Sequence, residues 1–509
     1  MAFGLAAAIS TAGCTAPRVH RVKPPACTIG PPRSLAQLLP GVAERVIPPK
    51  KKAWEQGLGG EEAARPHVRA RLSGWPRRFL VNRGELPADD GGFARRLASD
   101  TWRGLEAFTD RENGLPVDHV RLALNPSGAV EGLVGDYASG ATIGLHLIAI
   151  VAAYDLGLLA RADAIARTGK ILDTVDGLET YAGFLYNFYD TTSRERTSNF
   201  VSFVDASWLT AGLIVVRGSF AELGERCGRM IAQTSYQFFY DPERQEISHG
   251  YYVDPGVRSP FYYGMLYTEA RLGSLIAIGK GDIPDVQWFR MARTLPADCP
   301  GQTQSPRGTR RRVVHGFEFS AGYYEWSGLR YVPSWGGSLF EALMPALVLD
   351  EAAHAPKSLG ANDTVHTVVQ QRYAREVLDY PVWGLSPSAS PGVDGYAEYG
   401  VKVLGVRGYE AGAVTPHAAA LALGPAPEAA LANLRRLAER YDMYGEYGLY
   451  DAVDPRSGAV ASEYLALDQA MLFIALANYL DDHAIQKRFA TDPIVQRVLP
   501  MIGEENFFE

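Results

Sequence analysis

Cysteine is scarce in this chain. The 509 residues contain four, at positions 14, 27, 227 and 299, and none forms a CxxC pair. That spacing builds neither a disulfide framework nor a zinc cluster. The ten histidines are no more suggestive, with His315, His354, His366 and His417 scattered and without metal-ligand spacing. There is no HExxH, no GxSxG and no phosphate-binding loop, and Asp481-Asp482 is not part of a DDxxD. Those absences remove the sequence support for metal-dependent hydrolysis, a serine elbow, nucleotide binding and terpene-type chemistry, and leave carboxylates. No apolar run of eighteen residues follows residue 14, so no membrane span is expected. No fixed-period repeat supports a solenoid.

Charge is also low overall, at −7, but it is unevenly placed. Residues 18–78 hold 13 Lys/Arg against 4 Asp/Glu, a local +9 that leaves −16 elsewhere. An acidic body argues against nucleic acid as its partner. The basic stretch carries Pro-Pro three times and Lys50-Lys51-Lys52, the composition of a solvated tether. Ahead of it, MAFGLAAAISTAGC resembles the end of a bacterial lipoprotein signal, with Thr11-Ala12-Gly13 before a lipidated Cys14. The match lacks a basic residue before the apolar run and has Thr11 in place of the usual Leu. Residues 1–17 are therefore expected as a leader, 18–85 as a basic Pro-rich tether, and 86–500 as the folded domain.

From Pro87 onward, apolar residues recur at helical spacing. Phe93, Leu97, Trp102, Leu105 and Phe108 mark one face, and Ile143, Leu147, Ile150, Val151 and Tyr154 another. Further helices are expected over 160–180, 203–218, 219–235, 260–280, 284–294, 336–350, 362–379, 414–424, 426–441 and 462–481. Short β-like pieces at 183–190, 237–253 and 317–331 are too few for a sheet-based fold. About twelve helices joined by loops rich in Tyr, Trp, Asp and Glu predict an all-α chain. The architecture expected is an (α/α)6 toroid with short β-hairpin loop decorations.

Three carboxylates stand out. Asp468 lies within Tyr464–Leu480, which is apolar almost all round, and a carboxylate there is costly unless paired, hydrogen-bonded or used. Asp205, in FVDASWL, has an equally apolar setting, although a helix cap would explain it. Glu269, in YYGMLYTEARL, opens an apolar helix, where an ion pair with Arg271 is the plain alternative. Asp394 sits in a Gly- and Pro-flanked loop and reads equally well as a turn. Glu318 and Glu325 read as the solvent face of a hairpin. Aromatic residues beside carboxylates suit a sugar-binding cleft. Trp208, Trp335, Trp383, Tyr396, Tyr447 and Tyr450, with Glu341 and Asp394, are the substrate-binding candidates.

Eight segments, in order through 136–480, resemble the bacterial glycoamylase-like proteins, which include endo-β-1,2-glucanases and a domain of cyclic β-1,2-glucan synthases. Among them are YASGATIGLHL (137–147), GFLYNFYD (183–190), VSFVDASWL (201–209), PSWGGSLFEALMP (333–345) and the run from Gly445 to Gln469. The resemblance implies an (α/α)6 toroid acting on a glycan, with the family carboxylates falling on Asp205, Glu269 and Asp468. One departure is that the glucanases carry Glu three residues after the first of these, where this chain has Trp208. The insertion PRGTRRR (306–312) has no recognised counterpart.

Glycoside hydrolysis needs one carboxyl to protonate the leaving oxygen and a second to activate water or attack the anomeric carbon. Burial raises a carboxyl's pKa, so Asp468 is expected as the acid, with Asp205 or Glu269 as base or substrate clamp. The expectation is an exported glycoside hydrolase or transglycosylase on a β-linked glucan, free of cofactor and metal, monomeric, and tethered at Cys14. A non-catalytic glycan-binding protein of the same fold is the alternative, favoured by Trp208.

Overall fold

The computed structural model describes residues 19–27, 66–393 and 395–509. The expected leader with its Cys14, the tether between 28 and 65, and Asp394 lie outside the described residues.

Of the seventeen α-helices among the described residues, twelve make the two layers of the body. They are α1 (Asp90–Ala107), α2 (Gly140–Asp155), α3 (Arg161–Asp176), α4 (Phe203–Ser219), α5 (Ala221–Ala232) and α6 (Ala270–Lys280). After them come α7 (Leu339–Leu343), α8 (Leu359–Glu376), α9 (Pro416–Leu421), α10 (Pro427–Arg440), α11 (Ala466–Leu480) and α12 (Pro493–Gln496). Helix α2 is buried continuously from Gly140 to Ala153 and α11 from Asp468 to Asn478, as sequences apolar on every side require. Helix α5, by contrast, buries only Cys227, Met230 and Ile231 and turns charged residues outward.

The buried helices pack as neighbours in sequence: α2 on α4, α4 on α6, α7 on α9, α9 on α11, and α11 back onto α2. Arg271 joins α6 to α7 by donating to the carbonyls of Glu341 (3.2 Å) and Ala342 (2.6 Å). The amphipathic helices lie outside: α1 on α11 and α10, α3 on α2, α5 on α4, α8 on α7, α10 on α9 and α12 on α6.

The closest crossing, α2 on α4, is made by glycine. A Cβ on Gly144 would stand 2.2 Å from the Trp208 carbonyl oxygen, and one on Gly212 2.4 Å from that of Gly144. No larger residue fits at either position.

Four expected helices are shorter than their periodicity suggests; those at 284–294 and 414–424 shrink to Val286–Arg290 and Pro416–Leu421, and the other two have a visible cause. Pro345 lacks an N–H, and α7 gives way to a 3-10 turn at Met344–Leu347. The 260–269 stretch, apolar but interrupted by Gly264, stays irregular, and α6 begins only after Glu269.

Strand is more plentiful than an all-α chain implies, though each sheet is small. In one, β2 (His119–Leu124) lies between β3 (Val130–Gly135) and the segment Glu463–Leu465, all antiparallel. In another, the basic insertion forms β4 (Arg307–Val314), antiparallel to β5 (Phe317–Trp326). Glu318 pairs with Arg311 (3.1 Å) and Glu325 with Arg307 (3.0 Å) on its outer face.

The domain boundary needs correction where the tether is described. Residues His20–Arg21 pair in parallel with Phe317–Glu318 of β5, Val22 is buried, and Cys27 forms a disulfide with Cys299. Val68, Leu72 and Val81 are likewise buried in the core. These apolar positions are too widely spaced among Arg, Lys and Pro to show a period.

Candidate active site

Five of the six inner helices bring chemistry-bearing residues to their N-terminal ends. Asp205 is the third residue of α4, Glu269 caps α6, Glu341 is the third residue of α7, His417 the second of α9 and Asp468 the third of α11. Backbone N–H groups point out of such ends and favour negative charge there.

Asp205 is a cap, but for a neighbouring helix. Ser202 caps α4 itself, and the Asp205 carboxylate accepts from the Ala141 N–H of α2 (3.3 Å) and from Asn187 Nδ2 (3.1 Å). Glu269 does not form the ion pair its spacing offers. Arg271 turns away and donates from Nε to Glu351 Oε1 (2.8 Å) and from Nη2 to Glu351 Oε2 (2.7 Å), all fully buried. Burial and the nearby Glu341 carboxylate push Glu269 up to about 7, although part of its side chain meets solvent. Glu269 and Asp205 are both charged neighbours of the Tyr263 hydroxyl, which places them on one wall.

Asp468 is 1% exposed. Its Oδ2 lies 3.2 Å from His417 Nδ1, and the Asp451 carboxyl group lies within 4.8 Å of it. Burial foremost, with Asp118 and Glu463 adding repulsion, raises it to about 7. Burial also raises Asp451 well above the carboxylate range, with the charge of Asp468 adding to it, while burial lowers His417 to about 4, which leaves its ring neutral. The His417, Asp451 and Asp468 ligand-type atoms lie within 4.8 Å of one another, the one such His and carboxylate group of three among the described residues.

Tyrosines link the two acidic groups. Tyr409 has Glu341, Glu398 and Glu269 as charged neighbours and donates to Glu398 Oε1 (3.3 Å). Tyr396, 55% exposed, has Asp468, Asp451, Glu398 and Asp118 around its hydroxyl. Asp205 and Glu269 are thus charged neighbours of one tyrosine, Tyr263, and Asp468 of another, Tyr396.

Several aromatic candidates belong to the core instead. Trp208 is 1% exposed and has no face open to a ligand. Tyr450 is buried and donates to the Phe79 carbonyl (2.5 Å), and Tyr447 packs on Phe108 and Tyr464. Trp383 is buried, its backbone held at both ends by the Asn433 amide. Glu341 spends its carboxylate on the loop before α7, accepting from Ser334 Oγ (2.9 Å) and from the N–H of Gly336 and Gly337 (3.0 Å each). Trp335 remains half-buried, on a backbone that accepts from the Arg407 and Gly408 N–H groups. Tyr263, Tyr409, Glu398, Asp118, Asp451 and His417 were not among the candidates. The Tyr262-Tyr263 pair ahead of Glu269 and the Asp451 that ends the aromatic loop were the signals present.

The fold, and part of the sequence, are similar to those of the glycoamylase-like proteins. Residues 306–493 match the model of the Glycoamylase family, described as "Putative glucoamylase". The cyclic beta-(1,2)-glucan synthase NdvB of Rhizobium meliloti is 32% identical over 298 residues, which are 56% of this chain and 9% of that protein. The chain therefore corresponds to a small part of that relative. Among solved structures, the endo-beta-1,2-glucanase of Chitinophaga pinensis, in complex with sophorotriose and glucose, superposes with a TM-score of 0.65 at 16% identity. It covers 82% of this chain and 99% of that one. The endo-beta-1,2-glucanase of Talaromyces funiculosus, in complex with sophorose, gives 0.64 at 12% identity over 83% of this chain and 92% of that one. The resemblance carried by the eight sequence segments is thus met by a family model, a curated relative and solved folds.

Proposed function

We propose that the chain is a glycoside hydrolase or transglycosylase acting on a β-1,2-linked glucan, built on an (α/α)6 toroid. The names borne by its relatives supply the substrate class, and the helix packing supports the toroid. The observation that carries the reading is the contrast between Glu269 and Asp468. Glu269 is partly open and holds its proton near neutrality without a side-chain donor. Asp468 is flanked by a His417 ring nitrogen and a second carboxyl group. Glu269, partly open to solvent, suits the general acid, and Asp468, beside the neutral His417 ring, suits the base. This reverses the division expected from sequence, where burial alone was weighed. Asp205, tied to Ala141 and Asn187, is the substrate clamp.

The alternative of a non-catalytic glycan-binding protein leaned on Trp208. With that ring in the core, position 208 offers a ligand neither an aromatic face nor the carboxylate that the glucanases carry there, and the alternative keeps that missing carboxylate as its support. Export, with a lipidated Cys14 as tether, belongs to the same proposal. It is supported by the Cys27–Cys299 disulfide, a bond that persists in oxidising compartments.

The test is incubation of the purified protein with β-1,2-glucan and a panel of other bacterial glucans, following reducing ends and product anomer. Turnover of β-1,2-glucan, abolished in Glu269→Gln and Asp468→Asn, is expected. Binding without turnover across the panel would return the protein to the non-catalytic class.

A further inference from the structure

Three fully buried groups meet beside α11. His417 Nδ1, Asp451 Oδ1 and both Asp468 oxygens have less than 1 Å² of accessible surface each, and no donor of the ordinary kind is assigned to any of them. Unmet polar atoms at this depth are costly, so four in one place need an account. The surroundings narrow the choice. His417 Nε2 lies 2.9 Å from Ser386 Oγ, a hydroxyl able to donate to it, which leaves the ring proton of a neutral imidazole on Nδ1. That proton faces Asp468 Oδ2 at 3.2 Å. Asp451 Oδ2 accepts the Ala389 N–H (2.8 Å), which leaves Oδ1 to meet the Asp468 carboxyl. Two carboxylates in contact do not both ionise in an apolar site; they share one proton. One proton on Nδ1 and one between the carboxyls satisfies every group.

We propose that Asp451 is a positioning residue, whose carboxyl proton and the His417 Nδ1–H hold the Asp468 carboxylate from two sides. The inference rests on the reading of Asp468 as the base. It adds a residue that never touches the sugar but fixes the orientation and ionisation of one that acts on it. The charged neighbourhood is otherwise hostile to that ionisation. Asp118 and Glu463 face Asp468 from the β2 side, where His119 stands 2.9 Å from Asp118 and 3.6 Å from Glu463, and Arg121 pairs with Glu463 (3.1 Å). Tyr396 closes the remaining side.

Two variants separate positioning from bulk structure. Asp451→Ala removes the donor, and kcat should fall roughly tenfold to a hundredfold with KM little changed. Without that donor the Asp468 carboxylate is less stabilised, so the acid limb of the pH profile should move to higher pH. Asp451→Asn can accept from Ala389 and donate to Asp468, and should restore most of the loss and the position of the limb. Equal loss in both variants with an unmoved limb would overturn the proposal. A readout without substrate is the infrared difference between wild type and Asp451→Asn in deuterated buffer at neutral pH. A protonated-carboxyl band present in the wild type and lost in the variant is expected, and its absence from the wild type would overturn the proposal. So would a stoichiometric divalent cation that Asp451→Asn fails to retain, found by elemental analysis of the purified protein. If no glucan is turned over, the functional reading fails while the infrared result still decides whether the proton is shared.

Discussion

Glu269 and Trp208 show how differently two residues on adjacent helices answer to substitution. Glu269→Gln removes a dissociable proton while keeping shape, and kcat should fall about 10²–10⁴-fold with KM nearly unchanged. In the wild type, activity should decline as pH rises through about 7, where Glu269 gives up the proton an acid must hold. The alkaline limb of kcat against pH tests this, and a flat profile to pH 9 would exclude Glu269 as the acid. Trp208→Ala acts through packing alone. Emptying a buried tryptophan site costs about 3–5 kcal/mol, visible as a lower denaturation midpoint. Residual folded protein should keep its KM, because the ring reaches no ligand.

At the scale of elements, the loop before α6 is set by Arg271. Its guanidinium spans Glu351, the Thr268 carbonyl and the first turn of α7, all without solvent. Arg271→Met should strand Glu351 in the core and cost about 3–5 kcal/mol by urea denaturation. Glu269, two residues away, would lose its fixed position, so activity should fall further than folded fraction. Asp468 was legible in the sequence because a carboxylate in an apolar helix is anomalous by its surroundings alone. Asp451 was not, because its partner is 17 positions on and three short strands, Ala452–Val453, Val460–Ala461 and Glu463–Leu465, lie in between. The aromatic loop 444–450 misled for a related reason: tyrosines beside acids look alike whether they face a sugar or, as here, Phe79 and Phe108. Helices α2, α4 and α11 follow their expected spans closely, since burial on all sides leaves a long apolar run without a break. The segment that precedes α6 does not, since apolar loop and apolar helix share a composition.

For the whole molecule, the Cys27–Cys299 bond closes a loop of 272 residues and ties the arm to the body. Reduction, or Cys27→Ser, should lower stability by about 2–5 kcal/mol, read as a shift in melting temperature, with kcat unaltered. An equal melting temperature in the presence and absence of reductant would show that the bond does not form in the purified protein. The arm escaped the sequence reading because a single two-residue strand, one valine and one cysteine leave no pattern behind. The glycines at the crossing of α2 and α4 bear on a different matter, the paths open to change in this scaffold. Gly144 and Gly212 admit no larger residue, and Gly140 sits against Asp205 itself. The crossing of α2 and α4 is therefore closed to gradual enlargement, since a first step on either helix collides with backbone. New specificities on this frame must come from its rim, in loops such as 390–410 that carry Tyr396, Glu398 and Tyr409. A library confined to those loops should yield altered substrate preference, and one confined to the crossing should yield chiefly unfolded protein.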